Sequence, residues 1–123
     1  MLGIGIDLLS VSRITQMPLM KQHRLAKRIL SPSEFLEFTK SHQPSLFLAT
    51  RFSCKESAYK ALYPLYELSW KEVSISKQGK KPILEFHSSV YQSLGFQLNA
   101  HLSISHDLTI DSLTSIVYLV KKL

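Results

Sequence analysis

Three groups of residues in this chain have types and spacings that could do chemistry. The first is Asp7, at the end of Gly3-Ile4-Gly5-Ile6-Asp7. A strand face stripped of side chains just before a carboxylate can be approached closely by a ligand. A hard cation such as magnesium takes one or two carboxylates together with substrate phosphates. An aspartate capping the turn after a strand is the other reading of the same pattern. The second group lies in Arg51-Phe52-Ser53-Cys54-Lys55-Glu56-Ser57-Ala58-Tyr59-Lys60-Ala61-Leu62. Glu56 and Lys60 stand four residues apart and share a helix face with Phe52, Tyr59 and Tyr63. Charges among aromatic groups are costly unless something is bound there. Arg51 and Lys55 form a like-charged pair at the same spacing, unfavourable without an anion to neutralise it. These groups fit a clamp for metal and phosphate; they also fit a surface Glu–Lys pair worth about 0.3–0.5 kcal/mol. The third group is His101-Leu102-Ser103-Ile104-Ser105-His106-Asp107. Here Leu102 and Ile104 point to one side of a strand, and His101, Ser103 and Ser105 to the other. His106 stands where the strand gives way to a loop, as a substrate contact, a proton carrier or a merely exposed histidine.

The elements that must position these groups can be read from periodicity. Residues 2–8 alternate as a half-buried strand, with Leu2, Ile4, Ile6 and Leu8 as its apolar face. A short helix over Arg13–Met17, capped by Ser10 or Ser12, meets Pro18. Residues 21–30 have Leu25, Ile29 and Leu30 at helical spacing, and Ser31-Pro32-Ser33-Glu34 reads as a helix start. From Ser45 to Tyr63 runs the longest helical signal, free of Gly and Pro and ended by Pro64. Lys71–Ser76 and Pro82–His87 read as a hairpin around Gly79. Ser88 or Ser89 starts a short helix that Gly95 closes. His101–Ser105 and Leu113–Val120 read as an antiparallel pair. Strands and helices follow one another without a regular βαβ beat, so the fold class is α+β.

Composition narrows the setting. The chain has 123 residues, 45% apolar and 20% charged, which suits one globular domain over 1–123. A single cysteine, Cys54, excludes an internal disulfide and a zinc site of paired cysteines. Mid-helix, beside Ala58 and Ala61, it reads as a small buried residue rather than a nucleophile. No Gly-x-x-x-x-Gly-Lys-Ser/Thr loop occurs, which disfavours a P-loop hydrolase. Apolar runs are too short to span a bilayer, and the first residues lack a signal-peptide pattern, so the expected location is cytoplasmic. Fifteen Lys/Arg against nine Asp/Glu give a net charge of +6. Arg13, Lys21, Arg24, Lys27 and Arg28 follow one another with no acidic residue between them, which suits an anionic partner or a solvated basic helix face.

Taken together and in this order, the three groups resemble the holo-[acyl-carrier-protein] synthase family, the small 4′-phosphopantetheinyl transferases. The likeness rests on Gly3-Ile4-Gly5-Ile6-Asp7, on Arg51-Phe52 with Lys55-Glu56 and Lys60-Ala61, and on His101-x-Ser103-x-Ser105-His106. Arg28-Ile29-Leu30-Ser31-x-Ser33-Glu34 and Leu68-Ser69-Trp70 extend it over nearly the whole chain. The resemblance implies transfer of the phosphopantetheine arm of coenzyme A to a serine hydroxyl of apo acyl carrier protein, releasing adenosine 3′,5′-bisphosphate, in fatty acid biosynthesis. It implies Mg²⁺ held by Asp7 and Glu56, with Asp7, Glu56 and Lys60 as the catalytic set and Lys60 at the pyrophosphate. Glu56 or a water held by the metal takes the serine proton. Arg51, Lys55, Lys60, Ser105 and His106 match positions lining the coenzyme A site. Arg13, Met17, Lys21, Arg24 and Arg28 match positions that dock the acidic carrier helix. The implied fold is a long helix packed on an antiparallel sheet, assembled as a homotrimer with active sites between subunits. Two segments depart from the family pattern. Tyr63-Pro64-Leu65-Tyr66-Glu67 has no glycine where relatives are glycine-rich, and Gly79-Lys80-Lys81-Pro82 carries an added lysine.

A nucleic-acid-binding module using the basic segment is the rival reading. It leaves Asp7 and Glu56 without a role, and the basic stretch lacks the interleaved aromatic residues of a single-strand platform. Partners therefore exclude nucleic acid and membrane.

Overall fold

A computed structural model describes residues 1–123. Strand β1 (Gly3–Ser10) leads through the short α1 (Ser12–Thr15) into α2 (Leu19–Ile29), α3 (Pro32–Lys40) and the long α4 (Pro44–Leu62). A hairpin of β2 (Val73–Gln78) and β3 (Lys81–Phe86), the helix α5 (Ser88–Leu94), and strands β4 (Leu98–Asp107) and β5 (Ser112–Lys121) complete the chain. β1, β5 and β4 form an antiparallel sheet in that order, and β2–β3 form a separate ribbon. The α+β class expected from the sequence is what the chain adopts.

Local chemistry explains most of the element ends. Ser31 and Glu34 form the capping box anticipated at Ser31-Pro32-Ser33-Glu34: the Glu34 carboxylate accepts from Ser31 N at 2.9 Å, and Ser31 Oγ accepts from Glu34 N. Gly95 closes α5 at φ 80°, in the left-handed region glycine tolerates. Its N-cap is His87, whose ring nitrogen accepts from Ser89 N at 3.1 Å, and neither Ser88 nor Ser89 does this. Val11 rather than Ser10 or Ser12 precedes α1. Ser12 is held from across the sheet by Asp111, which accepts from its amide at 2.7 Å and its hydroxyl at 2.5 Å.

The strand face that is covered is the opposite of the one alternation suggested. Ile4, Ile6 and Leu8 are exposed, while Gly5 and Leu9 are buried and Asp7 is nearly so. α4 lies on the glycine face. A Cβ on Gly5 would stand 2.7 Å from Ala61 N and collide with the Ser57 carbonyl oxygen; one on Gly3 would collide with the Ala61 carbonyl. The glycines thus admit a helix backbone, not a ligand. On its side of the seam α4 offers only small residues, Ser53, Cys54, Ser57, Ala58 and Ala61, all buried. The hydroxyls of Ser53 and Ser57 pair with that of Ser115 on β5 at 2.8 and 2.6 Å. Ser57 Oγ also lies 3.0 Å from the Ser115 carbonyl. Gly5→Ala should therefore lower stability by about 1–3 kcal/mol, the cost of overpacking a closed interface, read as a fall in urea midpoint at unchanged slope.

Two apolar clusters flank this seam. One joins the C-terminal half of α4 to the hairpin, α5 and the sheet, around Leu62, Ile75, Val90 and Val117. The other joins α1, α2 and α3 to the N-terminal half of α4, around Ile14, Ile29, Phe38 and Leu48.

Candidate active site

The close approach of α4 to β1 brings Lys60 to Asp7. Lys60 Nζ donates to the Ile6 carbonyl at 3.0 Å and stands 3.5 Å from Asp7 Oδ1. The other carboxylate oxygen, Asp7 Oδ2, is buried and has no hydrogen-bond partner. Such an atom is expensive to leave alone. Glu56, one turn before Lys60, is partly buried, and burial together with the facing Asp7 raises its pKa above the usual carboxylate range; Lys60 and Arg13 partly oppose this. Two neighbouring acids, one raised by burial and by the other and one with an orphaned oxygen, leave room for a further cation beside Lys60. No third His, Cys, Asp or Glu joins them.

On the other flank of α4 lies a cleft of about 640 Å³ bordered by Phe47, Arg51, Lys80, Lys81, Ile104 and His106. Arg51 is buried, its guanidinium stacked on Phe47 at 4.2 Å, and its Nε has no hydrogen-bond partner. Glu34 and Glu37 stand 3.8 Å from it, too far for hydrogen bonds. Arg51, Lys80, Lys81 and Lys77, four cations that line the cleft, and the one unsatisfied donor suit a phosphorylated ligand. Asp7 and Ile104 both face Ser115 across β5, on the outer strands of the sheet, so the acid pair and the His106 end of the cleft have α4 between them. Beside Glu56 there is also a small cavity of about 170 Å³ between α4 and the segment preceding β2.

Residues 3–110 match the family model of the 4′-phosphopantetheinyl transferase superfamily. The chain belongs to that superfamily. It is 39% identical to a holo-[acyl-carrier-protein] synthase of Nitrosospira multiformis, over 88% of this chain and 90% of that one. A protein of the same name from Nitrosomonas eutropha is 35% identical, over 89% and 92%. Among solved structures, the holo-[acyl-carrier-protein] synthase of Neisseria meningitidis superposes with a TM-score of 0.80 at 28% identity, covering 98% of each chain. That of Helicobacter pylori, solved with coenzyme A, gives 0.78 at 30%, covering 95% of this chain and 99% of that one. As a member of the superfamily this chain is a 4′-phosphopantetheinyl transferase.

Within that frame the residues singled out from sequence separate into groups. Asp7, Glu56 and Lys60 come together. Arg51 and His106 share the cleft, while Ser105 is exposed and does not border it. Lys55 is a correction: it cannot serve a bound phosphate. Its ammonium is fully buried and donates to Glu34 Oε1 at 2.7 Å, to the Ile29 carbonyl at 2.6 Å and to the Trp70 carbonyl at 3.0 Å, which uses all three of its protons. The anion that the Arg51–Lys55 pair required is Glu34, from the chain itself. Met17, Lys21, Arg24 and Arg28 border one groove along α2, but Arg13 stands apart, 5.9 Å over the Phe52 ring and facing Glu56. Sequence reasoning did not place Lys77, Lys80 and Lys81 with Arg51; their clustering around the Gly79 turn was the available signal. Cys54 is buried, its thiol pushed up to about 12 mainly by burial, and so is inert.

Proposed function

We propose that this protein is a Mg²⁺-dependent holo-[acyl-carrier-protein] synthase that moves the 4′-phosphopantetheine arm of coenzyme A to a serine of apo acyl carrier protein. The observation that carries this reading is the buried, unpartnered Oδ2 of Asp7, whose Oδ1 stands 3.5 Å from Lys60 and whose charge raises the pKa of Glu56. Two hard oxygen donors without a third ligand suit a magnesium ion that completes its shell with phosphate oxygens and water. When bound, the ion offsets negative charge on the pyrophosphate. Lys60, half exposed beside Asp7, holds the leaving phosphate oxygen. The serine Oγ–P bond forms as the P–O bond to adenosine 3′,5′-bisphosphate breaks, and the serine proton passes to Glu56. The coenzyme A complex of the Helicobacter pylori relative supports this choice of donor.

The cleft around Arg51 and His106 takes the nucleotide end. Because α4 stands between it and the acid pair, one coenzyme A reaches both when the cleft of one copy meets the acids of the next. The outer face of the sheet favours such an assembly. Ile4, Ile6, Leu8, Ile116 and Tyr118 lie uncovered there, an apolar surface that a homotrimer buries. No helix is long and apolar enough to cross a membrane, in keeping with a cytoplasmic role in fatty acid biosynthesis. The test is incubation with coenzyme A, Mg²⁺ and purified apo acyl carrier protein. The carrier should gain the mass of the arm, and no gain would refute the reading.

The acidic carrier docks along the groove of Met17, Lys21, Arg24 and Arg28. These charges are exposed, so they act mainly on encounter and are screened by salt. Raising salt from 0.05 to 0.5 M should increase KM for the carrier about tenfold or more with little change in kcat. Arg24→Glu should do the same at low salt, and a KM indifferent to both would remove docking from α2.

A further inference from the structure

We infer that Asp111, in the turn between β4 and β5, is a positioning residue that clamps the start of α1 and thereby fixes Arg13 beside the acids. Its kinetic consequence rests on the proposed transfer. α1 is a single turn, Ser12–Thr15, too short to hold its own shape. Val11, the residue before it, has an apolar side chain and caps nothing, so the first amides find no partner within the helix. Asp111 supplies the missing acceptor from 99 residues away. Its Oδ1 accepts from Ser12 N at 2.7 Å and its Oδ2 from Ser12 Oγ at 2.5 Å, while its carbonyl accepts from Val11 N at 3.3 Å. The Ser12 hydroxyl and amide hold the Asp111 carboxyl below the usual aspartate range. An ionised carboxylate is the stronger acceptor and suits the positive end of a helix.

Two features separate this clamp from an incidental contact. Asp111 is the one residue other than glycine with a positive φ, at φ 51° and ψ 44°. Such a left-handed backbone is uncommon and persists where its surroundings dictate it. Here the turn braces it: Asp107 Oδ1 accepts from Thr109 N at 3.0 Å, and the Leu108 carbonyl accepts from Asp111 N at 3.3 Å. The second feature is that the clamped serine adjoins Arg13. Val11 and Ile14 are buried and anchor the inner side of α1, whereas Arg13 is exposed. Its guanidinium lies 5.9 Å from the centre of the Phe52 ring and near enough to Glu56 to bear on its charge. A long, rotamer-rich side chain keeps such a place only when the backbone beneath it is fixed. Arg13 also precedes the groove of Met17, Lys21, Arg24 and Arg28. An acidic carrier that lies in this groove and presents its serine at Glu56 comes within reach of Arg13.

The experiment is a double-mutant cycle on transfer to apo acyl carrier protein, with Asp111→Gly and Arg13→Ala. Glycine accepts the φ of 51° and lacks only the carboxylate. Arg13→Ala should lower kcat/KM for the carrier about tenfold, the worth of one charged contact. Asp111→Gly should lower it about fivefold, and the double variant about tenfold, no further than Arg13→Ala alone, because the clamp acts through Arg13. KM for coenzyme A should stay within about twofold throughout. Asp111→Asn tolerates the same backbone and can bond both groups of Ser12, so it should remain within about twofold of the wild type. A double variant down by about fiftyfold would mean independent effects and overturn the inference. Wild-type transfer by Asp111→Gly, or an Asp111→Asn protein as slow as Asp111→Gly, would overturn it too. Hydrogen exchange reads the clamp without the reaction: the Ser12 amide should lose at least about tenfold of its protection in Asp111→Gly and keep it in Asp111→Asn. Equal protection in both variants would count against the clamp. If the wild-type protein moves no arm from coenzyme A, the transfer reading fails while the exchange result still decides the clamp. Should Asp111→Gly not fold, Ser12→Ala, which removes only the hydroxyl bond, takes its place in the cycle with the same non-additivity expected.

Discussion

Asp7→Ala and Glu56→Ala are each expected to reduce transfer to the carrier by at least about 10³-fold while the protein remains folded. Removing one preorganised electrostatic group at a centre of developing charge costs about 10²–10³ in rate, and here the proposed metal would be lost with it. The folded state should not suffer, because the deleted group is itself uncomfortable. Asp7 Oδ2 has no partner, and Glu56 is raised by burial and by Asp7. Removing Asp7 relieves Glu56, and removing Glu56 takes away a partly buried charge, so thermal midpoints in the absence of Mg²⁺ should hold or rise. Mg²⁺ should raise the midpoint of the wild type and not that of the variants. A Glu56→Ala protein that transfers at the wild-type rate would detach the acids from catalysis.

The second large effect concerns stability. Glu34→Ala should destabilise the protein by about 3–5 kcal/mol, because it leaves the buried Lys55 ammonium without its countercharge. Glu34 is almost fully buried and also accepts from Ser31 N and from Ile75 N at 2.9 Å each. It thereby ties the start of α3 to β2, and through Lys55 to the end of α2, to α4 and to Trp70. Two backbone donors and an ammonium would be stranded together. Replacing both charges, as Glu34→Gln with Lys55→Met, should recover much of the loss, since a paired charge removed whole costs far less than one broken. Chemical denaturation of the single and double variants reads this directly. A Glu34→Ala protein as stable as the wild type would show the pair to be dispensable.

These two cases also show what the sequence could and could not disclose. Local signals were readable because their partners lie within a turn: the Ser31–Glu34 box, the Glu56–Lys60 spacing, the glycine that ends α5. The alternation of β1 was equally plain, but which face α4 would cover was not. Apolar residues attract the assignment of a buried face, whereas here backbone proximity decided, and bare glycines made it possible. The need of Arg51 and Lys55 for an anion was visible in their spacing. That Glu34 supplies it was not, because Glu34 already had a complete local role as a cap. Arg13 looked like one of a basic series, but it stands over Phe52 and near enough to Glu56 to oppose the rise in its pKa, because it lies on the short α1 rather than on α2. Ser105 was chosen with its neighbour His106, but of the two only His106 borders the cleft, which β4 otherwise lines through Leu102, Ser103 and Ile104.

The buried hydroxyls of Ser53, Ser57 and Ser115 bear on how motion is distributed. A helix resting on small, smooth side chains would otherwise be free to slide or roll. Here any such slip would strand hydroxyls in a dry seam, at about 1–3 kcal/mol apiece. They act as a key in a slot, so the reach between the two acids is set by a lock on their immediate neighbours, Ser57 beside Glu56 and Ser115 paired with Asp7. Any flexing of the outer helices would then leave the spacing of the two acids, the proposed cation ligands, unchanged.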